Sequence, residues 1–288
     1  MRPSARRHGL RLLAALALLA CPMLVHAEPV QIKPSLLRLN GNLELAPGKS
    51  AADGIALILH GTLSHHRQET IAALQKNLKE RAIGSLAITL SLGIDDRRGP
   101  RACDVAHDYA LAGARRELGL WIAWLNASGA RTVDLVGFSR GGAQIAAVAS
   151  DLPSVRRVVL IAPAFTTAAE LSGAYQRTFG QPLQPHLDAA REQPLQQRTV
   201  DFLLCKQAPV LGATFLDGYT ELPPQLASRT GKPTLIVIAG KDEIVPDLAS
   251  RLPADVRRVT IEGAGHFFPD LYGEDAADAI AVFLKEAP

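Results

Sequence analysis

The sequence has little net charge and no charged stripe. Its formal net charge is +3 at pH 7. The first eleven positions contain no acidic residue but four arginines, Arg2, Arg6, Arg7 and Arg11. Without these four arginines the chain has 27 basic and 28 acidic residues and is nearly neutral. Proteins that bind nucleic acid usually carry a basic patch, so this charge distribution excludes nucleic acid as a partner.

Repeats and low-complexity tracts are also missing, and the chain has only 3 cysteines. Hydrophobic residues make up 48% of the sequence and charged residues 20%. This balance is typical of a globular domain and unlike that of a disordered, collagen-like or coiled-coil chain. At 288 residues, the chain is long enough to bury roughly 70–75% of its unfolded surface in one core.

The first 27 residues have the three parts of a secretory signal peptide. A basic segment ending at Arg11 precedes an apolar run at residues 12–20, and the small-residue site Val25-His26-Ala27 precedes Glu28. The apolar run is too short to span a bilayer. We therefore expect cleavage after Ala27 and a mature protein, residues 28–288, that is periplasmic or secreted.

Two alternatives to simple cleavage stay open. One is an uncleaved helix at the membrane surface. The other is lipidation, because Leu18-Leu19-Ala20-Cys21 is similar to a lipoprotein processing site, which would leave Cys21 as a lipid anchor. Arg6-Arg7 is similar to a twin-arginine start, although Gly9 stands where a bulky residue is usual.

If Cys21 leaves with the signal, the mature chain keeps Cys103 and Cys205. Exported proteins fold in oxidising compartments, where disulfides form and persist. The sequence leaves two interpretations open, a bridge between these cysteines or two small buried thiols, because it does not report the distance between them.

Short apolar runs alternate with longer amphipathic segments along the chain. The pattern predicts an extended segment at residues 31–39 and strands at residues 55–59, 86–90, 132–136, 158–161, 234–238 and 256–261. It predicts helices at residues 68–81, 109–126, 141–149 and 275–285, with Trp121 and Trp124 in the core. Continuous apolar strands between helices are typical of a parallel sheet covered on both faces. We predict an α/β fold with a mostly parallel sheet.

The interval between Pro163 and Pro233 breaks this alternation. It contains helical patches, many glutamines and prolines, and no clear strand. An ordinary loop in a compact domain is much shorter. We predict a helical cap at about residues 164–232, inserted between the sixth and seventh strands of a single domain.

Gly137-Phe138-Ser139-Arg140-Gly141 directly follows the strand predicted at residues 132–136 and opens a helix. A nucleophile on a sharp strand-to-helix turn needs small neighbours, because the backbone is crowded there. The two glycines provide that space, and the helix N-terminus directs N–H groups at negative charge that develops near Ser139.

This motif resembles the nucleophile turn of the α/β-hydrolase family, and the resemblance extends from about residue 50 to the end of the chain. The family places serine, acid and histidine in that order. Asp242, after the strand at residues 234–238, matches the acid, and His266, after the last strand, matches the general base. Glu243 and Asp247 are rival carboxylates.

The resemblance also implies an oxyanion hole, in which backbone N–H groups bind the developing negative charge. His60-Gly61-Thr62-Leu63 follows the strand at residues 55–59, where the family has its first donor. We expect the N–H groups of Thr62 and Arg140 to serve, with Leu63 as the alternative donor. The side chain of Arg140 either lines the pocket or lies in solvent.

Two further polar groups of residues have alternative interpretations. His65 and His66 are adjacent and do not share one face, so we expect no metal site, and the implied mechanism needs no cofactor. The loop at residues 93–104 contains Asp95, Asp96, Arg97 and Arg98. It either binds a polar group of the substrate or is a solvated run of charges.

The resemblance implies a serine hydrolase that cleaves a small-molecule carboxylic ester through an acyl-enzyme. The same triad would also serve an amidase, a peptidase or a lipase. A non-catalytic envelope-binding protein of the same fold is a further alternative.

Overall fold

The computed structural model describes residues 28–34 and 36–287. The predicted signal peptide, with Cys21, lies outside the described residues. Among the residues described, no helix combines the length and the apolar character needed to cross a bilayer.

The described residues form ten strands and eight helices. The strands are β1 (Glu28–Ile32), β2 (Leu39–Glu44), β3 (Ile55–Leu59), β4 (Gly84–Thr89), β5 (Val133–Phe138), β6 (Val155–Ile161), β7 (Gln197–Phe202), β8 (Cys205–Leu211), β9 (Thr234–Ala239) and β10 (Arg257–Ile261). The helices are α1 (Glu69–Glu80), α2 (Leu111–Ala127), α3 (Arg140–Val148), α4 (Ala168–Phe179), α5 (Gln184–Glu192), α6 (Gly212–Gly218), α7 (Leu248–Arg251) and α8 (Leu271–Lys285).

Eight of these strands form one sheet in the order β1-β2-β4-β3-β5-β6-β9-β10. The six strands β4, β3, β5, β6, β9 and β10 run parallel to one another, and β1 and β2 form an antiparallel edge beside β4. Strands β3, β4 and β5 are buried at every position, as expected when helices cover both faces of a parallel sheet. The predicted fold class is confirmed.

Helices cover both faces of this sheet and bury separate apolar clusters. On one face lie α2 and α3, whose Trp121 and Ile145 are fully buried against the strands. On the other face lie α1 and α8, with Ile71 and Ile280 fully buried. Trp124 packs partly buried against the first cluster. Removing an indole such as that of Trp121 from a core costs about 3–5 kcal/mol of stability.

The extended segment predicted at residues 31–39 is wrong in its extent. The chain turns within it, and Ile32 of β1 pairs with Leu39 of β2 in an antiparallel register. Pro34 lies in the connection between the two strands, and a proline cannot donate to a sheet ladder. The sequence pattern is weak here because an edge hairpin buries little of its surface.

The segment between β6 and β9 contains a strand pair that the sequence did not reveal. Besides α4, α5, α6 and a 3-10 turn at Pro224–Arg229, it includes the antiparallel hairpin of β7 and β8. Only one side of β7 is strongly apolar, and Pro209 interrupts the pattern of β8. The prediction that this segment has no strand is therefore wrong, whereas its predicted helices are present. We call residues 164–232 the cap segment.

The cap segment has an apolar cluster of its own. Tyr175, Phe202 and Phe215 are almost completely buried in it, and Leu63 from the loop after β3 joins them. Aromatic pairs in such a cluster stabilise it beyond the area they bury. The cap segment therefore packs directly on the loop after β3.

A disulfide bond joins the cap segment to the loop after β4. Cys103 and Cys205 are bonded with an S–S distance of 2.03 Å and a Cα–Cα distance of 5.3 Å. Close by, the N–H of His107 donates to the carbonyl of Pro209 at 2.7 Å, and the N–H of Leu211 donates to the carbonyl of His107 at 3.0 Å. The disulfide bond and these two backbone hydrogen bonds thus hold residues 103–107 against the β7–β8 hairpin.

Candidate active site

Ser139 occupies the single residue between β5 and α3. Its backbone has φ +54° and ψ −123°, a conformation that costs energy for a residue with a side chain and persists only when its surroundings enforce it. The surroundings do so, because its N–H donates to the carbonyl of Ile161 at 2.9 Å and its carbonyl accepts from the N–H of Ala164 at 3.0 Å. The turn thus places the hydroxyl at the carboxyl ends of the strands.

The two glycines of the motif lie where no side chain fits. A Cβ atom on Gly137 would lie 2.7 Å from the carbonyl oxygen of Gly141, and one on Gly141 would lie 2.3 Å from the carbonyl oxygen of His60. Both distances are far inside normal contact. The start of α3 is therefore pressed against the loop that follows β3.

His266 lies between Ser139 and Asp242. Its Nε2 is 2.9 Å from Oγ of Ser139, and its Nδ1 is 2.9 Å and 3.0 Å from the two carboxylate oxygens of Asp242. An ionised carboxylate only accepts hydrogen bonds, so Nδ1 has the proton and Nε2 accepts from the serine hydroxyl. The fold brings His266 to a serine that lies 127 positions earlier in the sequence and to an aspartate that lies 24 positions earlier.

Asp242 is ionised in this arrangement. Burial alone would raise its pKa, but hydrogen bonds from His266 and from the N–H groups of Val245 (2.7 Å) and Ile244 (2.9 Å) outweigh the burial, and the net shift lowers the pKa. Hydrogen bonds to the charged form of a carboxyl group favour that form. Asp242 therefore holds the imidazole in one tautomer and one orientation.

The two rival carboxylates have other contacts. Glu243 accepts the backbone N–H of His266 at 3.1 Å through Oε2, so it positions the loop of His266 rather than its ring. Asp247 precedes α7, and its carbonyl accepts from the hydroxyl of Ser250 at 2.8 Å. The sequence did not predict this positioning role of Glu243, and only its place next to Asp242 could have indicated it.

The loop after β3 lies beside Ser139. A Cβ atom on Gly61 would be 3.3 Å from Cβ of Ser139. In the described part of the chain, the backbone N–H groups of Thr62, Leu63 and Arg140 donate to no other group of the protein. The residues predicted as oxyanion donors therefore have uncommitted N–H groups in the loop beside Ser139 and in the residue that follows it.

His60 supports this loop from inside the protein. Its Nδ1–H donates to the carbonyl of Gly61 at 2.8 Å, and its Nε2 accepts from the N–H of Leu90 and from Nη2 of Arg97, both at 3.2 Å. Burial, followed by the charge of Arg97, lowers the pKa of His60 to about 3. His60 is thus a neutral, fully bonded ring.

Arg97 does not fit either interpretation of the charged loop. Asp95 and Arg98 are exposed, whereas the side chain of Arg97 is buried and donates to the carbonyls of Leu90 (2.6 Å), Gly99 (2.7 Å) and Ser64 (2.8 Å). It therefore stabilises the loop after β3 from within. A sequence window does not report which of four adjacent charged side chains turns inward.

The side chain of Arg140 lies against the cap segment, so the interpretation that places it in solvent is wrong. Its Nη2 donates to the carbonyl of Gly218 at the end of α6, at 3.1 Å. Burial lowers the pKa of this guanidinium, while Tyr109 and Asp217 act in the opposite direction. Arg140, the residue after Ser139, is therefore linked to the cap segment.

Among the described residues, no group of three or more histidine, cysteine or acidic side chains is arranged to hold a metal ion.

Comparisons with known proteins agree with this architecture. Residues 56–282 match the family model described as "Alpha/beta hydrolase family". No curated protein matches the sequence. The structure is similar to Est1E from Butyrivibrio proteoclasticus, with a TM-score of 0.63 and 18% identity over 90% of this chain and 99% of that chain.

Two further solved structures share the fold. The esterase Pf2001 from Pyrococcus furiosus has a TM-score of 0.60 and 15% identity over 91% of both chains. The esterase domain of a Rhodothermus marinus protein has a TM-score of 0.56 and 18% identity, and the match covers 90% of this chain and 96% of that chain. At these identities the likeness concerns the fold.

The contact of Gly141 with His60 predicts opposite effects for two glycine substitutions in helices. Gly141→Ala forces a methyl group onto the carbonyl of His60, and we expect a loss of about 1–3 kcal/mol of stability. Gly119→Ala in α2 meets no atom within 4 Å, and we expect up to about 1 kcal/mol of gain. Urea unfolding of both variants measures the change in the free energy of unfolding. Equal changes in the two variants would contradict the close contact of Gly141 with His60.

Buried neutral histidines predict loss of stability in acid. Burial is the largest cause that lowers the pKa of His60 to about 3 and those of His66 and His107 to about 4. Below pH 6.5 the unfolded chain binds protons at these rings that the folded protein does not.

We therefore expect the free energy of unfolding to fall as the pH drops from 6.5 towards 4. The expected slope is about 1.4 kcal/mol per pH unit for each ring that stays neutral. Urea titrations at pH 7, 6 and 5 measure the slope, and NMR of the imidazole nitrogens reports whether His60 is neutral at pH 5. A stability that is flat over this range would refute the prediction.

Proposed function

This chain belongs to the alpha/beta hydrolase family, and we propose that it is a serine hydrolase that cleaves carboxylic ester bonds of small molecules. The observation that supports this most directly is the line of contacts from Asp242 through His266 to Ser139, with all three heavy-atom distances between 2.9 and 3.0 Å. A nucleophile, a base within hydrogen-bond reach and a group that orients the base are the components of nucleophilic acyl transfer.

In the first half of the proposed reaction, Oγ of Ser139 attacks the ester carbonyl while Nε2 of His266 takes the hydroxyl proton. The carbonyl oxygen becomes an oxyanion, which the N–H groups of Arg140 and Thr62 stabilise, with Leu63 as the alternative donor. Each such donor typically lowers the barrier by roughly 3–4 kcal/mol. The imidazolium then gives its proton to the leaving alcohol, and the acyl group stays on Ser139.

In the second half, His266 removes a proton from water as the water attacks the acyl carbonyl. Collapse of the second tetrahedral intermediate breaks the bond to Ser139, returns a proton to Oγ and releases the carboxylic acid. Asp242 stays ionised throughout and stabilises the imidazolium. No residue outside the chain is required for these proton transfers.

Ester hydrolysis is proposed over amide hydrolysis because an alkoxide is the better leaving group and depends less on protonation by His266. Two of the similar solved structures are described as an esterase and an esterase domain, which supports the same choice. Amides, peptides and long-chain lipids are also included as substrates in the experiment below, since the same triad serves all of them.

We further propose that the mature protein is exported. The basic and apolar segments of residues 1–27 support this, and so does the disulfide between Cys103 and Cys205, because such bonds are rare in reducing compartments. Cleavage after Ala27 leaves Glu28, the first residue of β1, as the first residue of the mature protein.

Labelling with a fluorophosphonate probe tests the proposed nucleophile. We expect the wild-type protein to be labelled and Ser139→Ala to be unlabelled, with ester turnover lost by at least about 10³-fold. Asp242→Asn leaves the shape of the site but withdraws the charge, and we expect a fall of about 10⁴-fold in kcat.

Asp247→Asn is the matched control for the acid, because it makes the same change five residues further along and should retain wild-type turnover. A panel of esters, anilides and peptides of increasing acyl length then reports the preferred bond. Folded wild-type protein that is neither labelled nor active on any of them would refute the hydrolase and favour a binding role.

Export is tested by expression of the full chain in a bacterial host, followed by fractionation and N-terminal sequencing. We expect the protein in the periplasm or medium with Glu28 as its first residue. A mature N-terminus at Cys21 with an attached lipid, or an intact N-terminus in the cytoplasm, would contradict the proposal.

A further inference from the structure

Buried polar atoms without a partner are concentrated in one part of the molecule. Five such side-chain atoms occur among the described residues, and three of them belong to Arg101 (Nε and Nη1) and His107 (Nε2). Arg101 is 4% exposed and His107 is 0% exposed. A buried polar group without a hydrogen bond costs about 1–3 kcal/mol, and a charged one costs more, so this concentration needs an explanation.

The guanidinium of Arg101 has almost no compensation from the protein. Its Nη2 donates to the carbonyl of Ala106. No carboxylate in the described part of the chain lies within ion-pair distance of it, although the same loop has exposed Asp95 paired with Arg38. Removing one partner of a buried charge pair is strongly destabilising. A buried arginine without a counter-ion therefore points to an anion that arrives from outside the chain.

His107 adds a third donor beside Arg101. Burial, followed by the charge of Arg101, lowers the pKa of His107 to about 4, so its ring is neutral at pH 7. Its Nδ1 lies 3.3 Å from the hydroxyl of Tyr109. If Nδ1 accepts from that hydroxyl, the ring proton is on Nε2, and all three unpartnered atoms are N–H donors. Such a set matches a ligand group that only accepts, such as a carboxylate.

The surrounding charges favour an anion as well. Tyr109 interacts electrostatically with Arg97, Arg101 and Arg140, and burial raises the pKa of its phenol to about 12, so it stays neutral. The nearest carboxylates are engaged elsewhere. Glu117 accepts from both the N–H and the hydroxyl of Ser91.

Asp217, the carboxylate that faces Arg140, accepts from the N–H of Leu111 at 2.8 Å. Burial raises the pKa of Asp217 and that of Glu117. Glu117 and Asp217 are the opposing charges for Arg97 and Arg140, whereas Arg101 has no carboxylate partner in the described part of the chain.

Arg101 is attached to the loop beside the proposed nucleophile. Its backbone N–H donates to the carbonyl of Leu63 at 2.7 Å. Leu63 is only two residues from Gly61, which faces Ser139, and each residue spans about 3.8 Å between Cα atoms. On the other side, Cys103 and His107 connect the same segment to the cap segment. Arg101 thus lies between the proposed oxyanion donors and the cap segment.

We propose that Arg101 and His107 bind a carboxylate of the substrate, so that this hydrolase prefers esters that have a free carboxylate near the scissile bond. The inference rests on the proposed ester hydrolysis and deepens it by naming the substrate class. Arg101 would bind the carboxylate through one N–H group of its guanidinium, and His107 through its Nε2–H, so that the two side chains together give orientation and strength.

Matched pairs of esters test the preference. Each pair compares the monomethyl ester of a dicarboxylic acid (succinate, glutarate or adipate) with the methyl ester of the monocarboxylic acid of equal chain length. We expect the wild-type kcat/KM to be higher for the anionic member of at least one pair. The chain length with the largest ratio measures the distance from Arg101 to Ser139.

Arg101→Met removes the charge and the N–H donors, and we expect the anionic-to-neutral ratio of kcat/KM to fall about 10- to 100-fold. Arg101→Lys keeps the charge without the planar guanidinium, so it should recover part of the ratio. Arg98→Met is the matched control, because Arg98 is an exposed arginine in the same loop, and its ratio should equal that of the wild type. Circular dichroism and fluorophosphonate labelling verify that each variant is folded.

Binding of a carboxylate without turnover gives an independent measurement. We expect glutarate, but not glutaramide, to raise the unfolding temperature of the wild-type protein and to have no such effect on Arg101→Met. If no ester is cleaved and Ser139 is unlabelled, the proposed hydrolysis fails while this binding measurement still tests the anion subsite.

Two results would overturn the inference. One is equal wild-type turnover of both members of every pair, with no stabilisation by glutarate. The other is stabilisation by glutarate with a selectivity ratio that Arg101→Met leaves unchanged, because the site would then bind a free carboxylate rather than the substrate.

Discussion

Gly141 lies so close to the carbonyl oxygen of His60 that a Cβ atom would be only 2.3 Å from it. This approach brings the first turn of α3 against the loop after β3, and the strained backbone of Ser139 lies between them. Arg140 is the first residue of α3, and Thr62 belongs to the loop after β3. The close contact between helix and loop therefore brings the N–H groups of Arg140 and Thr62 towards Ser139. His60 and Arg97 hold the loop from below through hydrogen bonds to Gly61, Leu90 and Ser64.

The parallel sheet gathers the other components of the site at the same edge. Ser139 follows β5, Asp242 follows β9 and His266 follows β10, and the carboxyl ends of parallel strands all point one way. The strands β5, β6, β9 and β10 are neighbours in that order. Each loop therefore needs only a short reach to bring its side chain to the hydroxyl of Ser139.

The loop after β4 connects this site to the cap segment. Arg97 supports the proposed oxyanion donors, Arg101 presents unpartnered N–H groups, and Cys103 is bonded to Cys205 of β8. Burying two guanidinium groups side by side is costly, and the cost is offset for Arg97 by four hydrogen bonds. For Arg101 the protein offers no comparable set, which is why we assign the compensation to a substrate carboxylate.

Local pattern was enough to predict the parallel sheet and most element positions. The resemblance to the α/β-hydrolase family then indicated Ser139, Asp242 and His266, because each of these residues follows a predicted strand. The sequence pattern did not predict the direction in which individual side chains point. The inward turn of Arg97, the unpartnered donors of Arg101 and the contact of Arg140 with Gly218 all depend on groups tens of residues away. The edge hairpin of β1 and β2 and the cap hairpin of β7 and β8 were misread for a related reason, since strands that are only partly buried have little hydrophobic periodicity. Apolar periodicity records burial along one element, whereas polar contacts between elements are decided only when the tertiary structure brings those elements together.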